Sequence, residues 1–232
     1  MLCGLEETAG WPEAIVFDLD GTLADTATDI QHALNLALAA EKVAPIEIAT
    51  VKTMIGAGPA VLVERALARR SASTDVATVR KVTEAFNENY DRGRNALSRL
   101  FDDAEPCLEA LSQMSIRMGI CSNKPEPFCE SLLRDLGVLQ HFPVIQGSGS
   151  GLPPKPDPSP LLEAFQRLGV ALDRALYVGD SETDVQTARA AGIPIALVSH
   201  GYTVTPVEEL GGDWLLASLA ELPGICRQEK IA

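Results

Sequence analysis

Short apolar runs, the first of which stops at an aspartate, recur along this 232-residue chain and restrict its fold more than any other feature. Ala14-Ile15-Val16-Phe17 is followed at once by Asp18, and Ile116 to Cys121, Val144-Ile145, Ala175 to Val178 and Ile193 to Val198 are similar runs. Runs this short and apolar suit strands buried on both faces of a parallel sheet. Helical segments separate most of them, which predicts an α/β fold with a doubly wound, Rossmann-like parallel sheet. Ligands of such sheets bind at the carboxyl ends of the strands, so the residues just after each run carry the interest.

The first two runs are much further apart than a simple crossover requires. Between them Ile30, Ala33, Leu34, Ala37 and Leu38 fall at helical spacing, as do Val79, Val82, Phe86 and Tyr90, with Val61, Leu62 and Arg65-Ala66 in between. The expected organisation is a helical cap domain, 26–99, inserted into an α/β core made of 12–25 and 100–232. The stripes identify packing surfaces only. The conspicuous loop is Gly147 to Gly151 with Pro153-Pro154-Lys155-Pro156-Asp157-Pro158.

A hydrophobic share of 46% and a charged share of 22% are ordinary for a packed globular chain. The net charge of −13 is a poor match for nucleic acid or an anionic membrane, so the expected partner is a small molecule. An anion site in so acidic a chain needs local positive charge, which a bound divalent cation helps to supply. The opening MLCGLEETAG lacks a basic segment and a long apolar stretch, and the expected location is the cytoplasm. Cys3, Cys107, Cys121, Cys129 and Cys226 are scattered without a C-x-x-C, which disfavours a disulfide framework and a zinc site. His32, His141 and His200 show no ligand spacing and read as structural or surface residues. Catalytic groups are therefore sought among carboxylates.

Asp18 and Asp20 sit two apart at the end of the first run, so an extended backbone points both to one side. One carboxylate of such a pair can attack phosphorus while the pair holds a hard cation, although Asp-Gly turns also look like this. Ser122 and Asn123 end the second run before a helix expected near Pro125, where a hydroxyl and free N–H groups suit phosphate oxygens or merely cap the helix. Prolines on both sides of Lys155 restrict its backbone and can fix an ammonium beside the nucleophile. Asp180 and Asp184 are four apart at a probable helix start and share a face if the helix includes both. Asp180 then completes a metal shell and Asp184 orients it from behind, with Ser181 and Thr22 grouped alongside; plain helix capping is the alternative. Each fragment is weak alone, but the ends of a parallel sheet converge and the four together are strong.

Those four segments, FDLDGTLAD at Phe17 to Asp25, SNK at Ser122, KPDP at Lys155 and GDSETD at Asp180, resemble the haloacid dehalogenase superfamily of aspartate-nucleophile phosphatases. The resemblance implies Asp18 as nucleophile and Asp20 as acid, then base. It further implies Mg²⁺ held by the Asp18 side chain, the Asp20 backbone carbonyl and Asp180, with Ser122, Asn123 and Lys155 on the phosphate. The implied substrate is a small phosphomonoester, 2-phosphoglycolate first; the alternatives are a phosphatase or phosphomutase for another small substrate such as a sugar phosphate or pyrophosphate, and, after these, a catalytically silent binding protein of the same fold. The protein is expected as a monomer or homodimer. Selectivity falls to the cap, where the Gly56-Ala57-Gly58 turn is flanked by Lys52 and Arg65. Arg65 is the first candidate for a substrate carboxylate and Lys52 the second, with a surface or packing role for Arg65 an equal reading.

Overall fold

The computed structural model describes residues 11–93 and 95–227; Cys3 and the rest of the opening segment lie outside the described residues. Ala14–Phe17 forms β1, and each of its four residues is fully buried. From β1 the chain passes through β2 (Ala24–Asp25) into α1 (Ala27–Ala40), α2 (Ile48–Lys52), α3 (Pro59–Arg69) and α4 (Val76–Gly93), and returns through β3 (Arg99–Leu100). Helices and strands then alternate: α5 (Ala104–Gln113), β4 (Arg117–Pro125), α6 (Glu126–Asp135), β5 (Val144–Ser148), α7 (Ser159–Leu168), β6 (Ala175–Gly179), α8 (Glu182–Ala191) and β7 (Ile195–Val198). β8 (Trp214–Leu216) and α9 (Leu222–Ile225) complete the described chain.

Six strands pair in parallel in the order β5-β4-β1-β6-β7-β8. The chain builds outward from β1 in both directions, so the carboxyl end of β1 is the switch point where such sheets bind ligands. Phe17 is in register with Ile120 on one side and Val178 on the other, which delivers Asp18 between the ends of β4 and β6. Strand alternation divides β1 between two cores. Ile15 and Phe17 join Leu108, Leu132 and Leu176, while Ala14 and Val16 join Leu161, Phe165 and Tyr177 on the opposite face.

A third core, including Leu34, Leu38, Leu67, Val82 and Phe86, belongs to α1–α4 and the segments joining them, with Phe128 of α6 packed on it. The two connections to this helical insert run side by side as an antiparallel pair, Ala24 opposite Leu100 and Asp25 opposite Arg99. The Asp29 carboxylate in α1 accepts hydrogen bonds from the Leu97 N–H and the Ser98 hydroxyl, tying the outgoing helix to the returning chain.

The strand expectations need three adjustments. β4 runs on to Pro125, so Ser122 to Lys124 are strand residues and α6 starts only at Glu126. β7 begins at Ile195, because α8 ends at Gly192 in the left-handed conformation and Pro194 has no N–H to add to the ladder. β8 carries no sequence signal, being a three-residue edge strand with only Leu216 buried. Among the described residues no helix is long and apolar enough to cross a membrane. Cys107, Cys121, Cys129 and Cys226 are buried free thiols whose burial pushes their pKa up, which makes them unreactive.

Candidate active site

Asp18 is the residue at which β1 leaves the sheet, its N–H still bonded to the Val178 carbonyl at 2.9 Å. Burial pushes its carboxyl up to about 6, against the pull of Lys155. Lys155 Nζ lies 3.1 Å from Asp18 Oδ1 as a charge contact, yet that buried oxygen has no hydrogen-bond partner. The ammonium spends its hydrogen bonds elsewhere, on Asp184 Oδ1 at 2.7 Å and the Tyr177 hydroxyl at 2.8 Å. Burial opposes the charge on Lys155, but Asp18 and Asp184 outweigh it and raise its pKa.

Asp180 leaves the end of β6 in the same way. Its Oδ1 accepts from the Thr22 hydroxyl at 2.8 Å and its Oδ2 from the Tyr202 N–H at 2.8 Å. Burial and the neighbouring Asp184 and Asp18 carboxylates push Asp180 up to about 8. The space around it is tight: a Cβ on Gly201 would lie 2.3 Å from Asp180 Oδ2, so only glycine lets the backbone approach this closely.

Asp180 and Asp184 do not share a helix face, as their spacing had suggested, because α8 starts at Glu182. They meet because Asp184 is the third residue of that helix and folds back in a capping box with Ser181. Asp184 Oδ2 accepts from the Asp180 N–H, the Ser181 N–H and the Ser181 hydroxyl, and Oδ1 from Tyr177 and Lys155. Burial alone would raise its pKa, but Lys155 and these donors bring it below the usual carboxylate range.

Asp18, Asp180 and Asp184 each place a carboxylate oxygen within 4.8 Å of the other two, all buried. Three carboxylates this close strongly favour a cation, and an all-oxygen donor set suits a hard divalent one. Asp18 Oδ1 is moreover a buried oxygen with no hydrogen-bond partner. The residues therefore fit a metal ion, and the Thr22 hydroxyl donates to Asp180 and the Ser181 hydroxyl to Asp184.

The Asp20 side chain turns away from this cluster. It accepts from the Thr26 hydroxyl at 2.7 Å and from Lys124 Nζ at 3.0 and 3.3 Å. Any part in metal binding is thus left to its backbone carbonyl. Asn123 also departs from expectation, because its side-chain amide is occupied. Oδ1 accepts from the Lys155 N–H at 2.8 Å, and Nδ2 donates to the Lys155 carbonyl at 2.9 Å and the Gly56 carbonyl at 3.0 Å. Instead of reaching a phosphate with this amide, Asn123 clamps the backbone that carries Lys155 and ties it to the helical insert.

Asp18, Asp20, Ser122 and Lys124 form the polar floor of a cleft between the core and the insert. Its other wall is apolar and comes mostly from the insert: Ile30, Ile55, Pro59, Leu62 and Phe86, with the Tyr90 ring. Of the expected selectivity residues Gly56 and Gly58 line the cleft, whereas Ala57, Lys52 and Arg65 do not. Arg65 is exposed and donates to the Met54 carbonyl at 3.1 Å. Lys52 lies 3.9 Å from Asp25 and over the Tyr202 ring.

Sequence reasoning missed Lys124, Tyr90, Tyr177 and Tyr202. Lys124 alone carried a usable signal, since it follows Ser122-Asn123 at a strand end. The three tyrosines sit in a helical stripe, inside a strand and in a loop, and only the fold brings their hydroxyls to Lys124, Lys155 and Asp25.

The parallel six-stranded sheet with its flanking helices agrees with the comparisons to known proteins. The family model for haloacid dehalogenase-like hydrolases matches residues 15–198, and the chain belongs to that family. Within it the chain is similar to phosphoglycolate phosphatases. That of Rhodospirillum rubrum is 40% identical over 220 residues, 88% of this chain and 91% of the relative. That of Thiobacillus denitrificans is 40% identical over 212 residues, 90% of this chain and 93% of the relative. A crystal structure of a predicted phosphoglycolate phosphatase from Haemophilus somnus superposes with a TM-score of 0.86 at 27% identity, covering 92% of this chain and 97% of that one.

Proposed function

We propose that the chain is a Mg²⁺-dependent phosphatase that converts 2-phosphoglycolate and water to glycolate and phosphate through an aspartyl-phosphate on Asp18. The observation that carries this reading is the buried Asp18 carboxylate at the cleft floor, with one oxygen free of hydrogen bonds and Lys155 beside it. The similarity to phosphoglycolate phosphatases along most of the chain supports the choice of substrate.

In the first step an Asp18 oxygen attacks phosphorus, the bond from phosphorus to the glycolate oxygen breaks, and Asp20 gives that oxygen its proton. In the second, Asp20 takes a proton from a water whose oxygen attacks the phosphoenzyme, and phosphate leaves with Asp18 restored. Lys155, fixed by Asp184, Tyr177 and the Asn123 clamp, supplies positive charge to the phosphoryl oxygens without having to reorient. Ser122 offers its hydroxyl from the cleft floor. Asp18, Asp180 and the Asp20 carbonyl would hold Mg²⁺, with Asp184 behind them, and the ion would neutralise charge on the transferring group.

The test is a kcat/KM series on purified protein with 2-phosphoglycolate, hexose phosphates and pyrophosphate. Phosphoglycolate is expected to rank first, with activity lost in EDTA and restored by Mg²⁺. A hexose phosphate or pyrophosphate at the top would replace the substrate, and turnover indifferent to EDTA would remove the metal.

A further inference from the structure

Lys124 is a buried cation that the steps above do not use. Among the described residues lining the cleft it is the only cationic side chain. Its ammonium bridges the two halves of the molecule, 3.0 Å from Asp20 Oδ1 on the core and 2.8 Å from the Tyr90 hydroxyl on α4. It also lies 4.3 Å from the centre of the Tyr90 ring. Burial opposes its charge, and the neighbouring Asp20 and Tyr90 more than offset this.

We infer that Lys124 is the specificity-determining residue that binds the anionic group on the leaving half of the substrate, with Tyr90 as its positioning residue. The inference rests on the reading of Asp20 as the group that protonates the leaving oxygen. A proton donor must come within hydrogen-bond reach of that oxygen, about 2.6–3.2 Å. Lys124 Nζ is one hydrogen bond beyond Asp20, and in phosphoglycolate the carboxylate is one methylene beyond the leaving oxygen. The carboxylate therefore arrives where the ammonium already stands. An ammonium has three donors; one can serve Asp20 and one Tyr90, which leaves the third for the ligand. Among the described side chains that the insert contributes to the cleft, the Tyr90 hydroxyl is the one polar group, and Arg65, the other candidate, is exposed and bonded to the Met54 carbonyl.

Ethyl phosphate is the decisive comparison substrate, because it keeps the ester and replaces the carboxylate of phosphoglycolate with a methyl group. The readout is the ratio of kcat/KM for the two esters, which cancels any general effect of the variant on Asp20. Lys124→Met is expected to reduce the wild-type ratio by about 10–100-fold, the scale of a charge-assisted hydrogen bond. Tyr90→Phe, which keeps ring and ammonium, is expected to lower it by about 3–10-fold, mainly through KM for phosphoglycolate. It also serves if Lys124→Met does not fold. A wild-type preference for phosphoglycolate that survives both substitutions would overturn the inference and leave the substrate reading standing. A wild-type enzyme with no such preference would overturn both.

Discussion

The two walls of the cleft are built on opposite principles. On the core side Asp18 and Asp180 each stand one residue beyond a strand, and Asp180, Asp184 and Lys155 are held by two or more hydrogen bonds to named partners. On the insert side Ile30, Ile55, Leu62 and Phe86 offer shape and an apolar surface, and among the described side chains there the one polar group is the Tyr90 hydroxyl. Groups that must meet developing charge gain most from being fixed before the reaction begins. Selection of a leaving group needs less. A dry surface that rejects the wrong shape, with one cation at the boundary, supplies a difference in affinity between substrates. On the reading proposed above, chemistry depends on the core wall, and choice on the boundary between the walls.

The sharpest way to break this division is Asp18→Asn. The amide is a far poorer nucleophile and loses the charge facing the metal site, so turnover of every phosphate ester should fall by more than about 10³-fold. Residual activity near wild type, in protein shown by mass spectrometry not to have deamidated, would remove Asp18 from the mechanism. Next in size is Asp20→Asn, for which a loss of about 10²–10⁴-fold is expected with an alkyl ester. The loss should shrink with p-nitrophenyl phosphate, whose leaving group needs little protonation. Equal losses on both substrates would show that Asp20 does not act on the leaving oxygen.

Arg65→Met should have the smallest effect. The side chain is exposed and outside the cleft, so kcat/KM for phosphoglycolate should change less than about twofold and stability by about 0.5 kcal/mol or less. A larger loss confined to phosphoglycolate would return the carboxylate to Arg65 and place selectivity in the insert alone.

The core wall was legible in the sequence because the residues of each motif stand beside one another along the chain. Asp18 follows Phe17 and Asp180 follows Gly179, and a parallel sheet brings such ends together whatever lies between them. The boundary between the walls was not legible in this way. Lys124 acquires its surroundings from Asp20, 104 residues earlier, and Tyr90, 34 residues earlier, and no local period encodes either contact. Tyr90 belongs to the stripe Val82, Phe86, Tyr90, and its packing role hid the hydroxyl. The clamp made by the Asn123 side chain was hidden for a related reason. A polar side chain at a strand end looks available until the loop that occupies it, here the backbone of Lys155, is seen.

The paired strands β2 and β3 have a consequence for how such a molecule can change. The polypeptide leaves the sheet and rejoins it at adjacent points, Asp25 beside Arg99, so the 73 residues from 26 to 98 form a closed excursion. Fifteen of their apolar side chains form a buried core of their own. A loop that starts and finishes in one place can be lengthened, shortened or exchanged at little entropic cost to the scaffold, since closure grows only with the logarithm of length. The two short strands act as a socket, and the insert is a cartridge that can be replaced without redrawing the machinery beneath it.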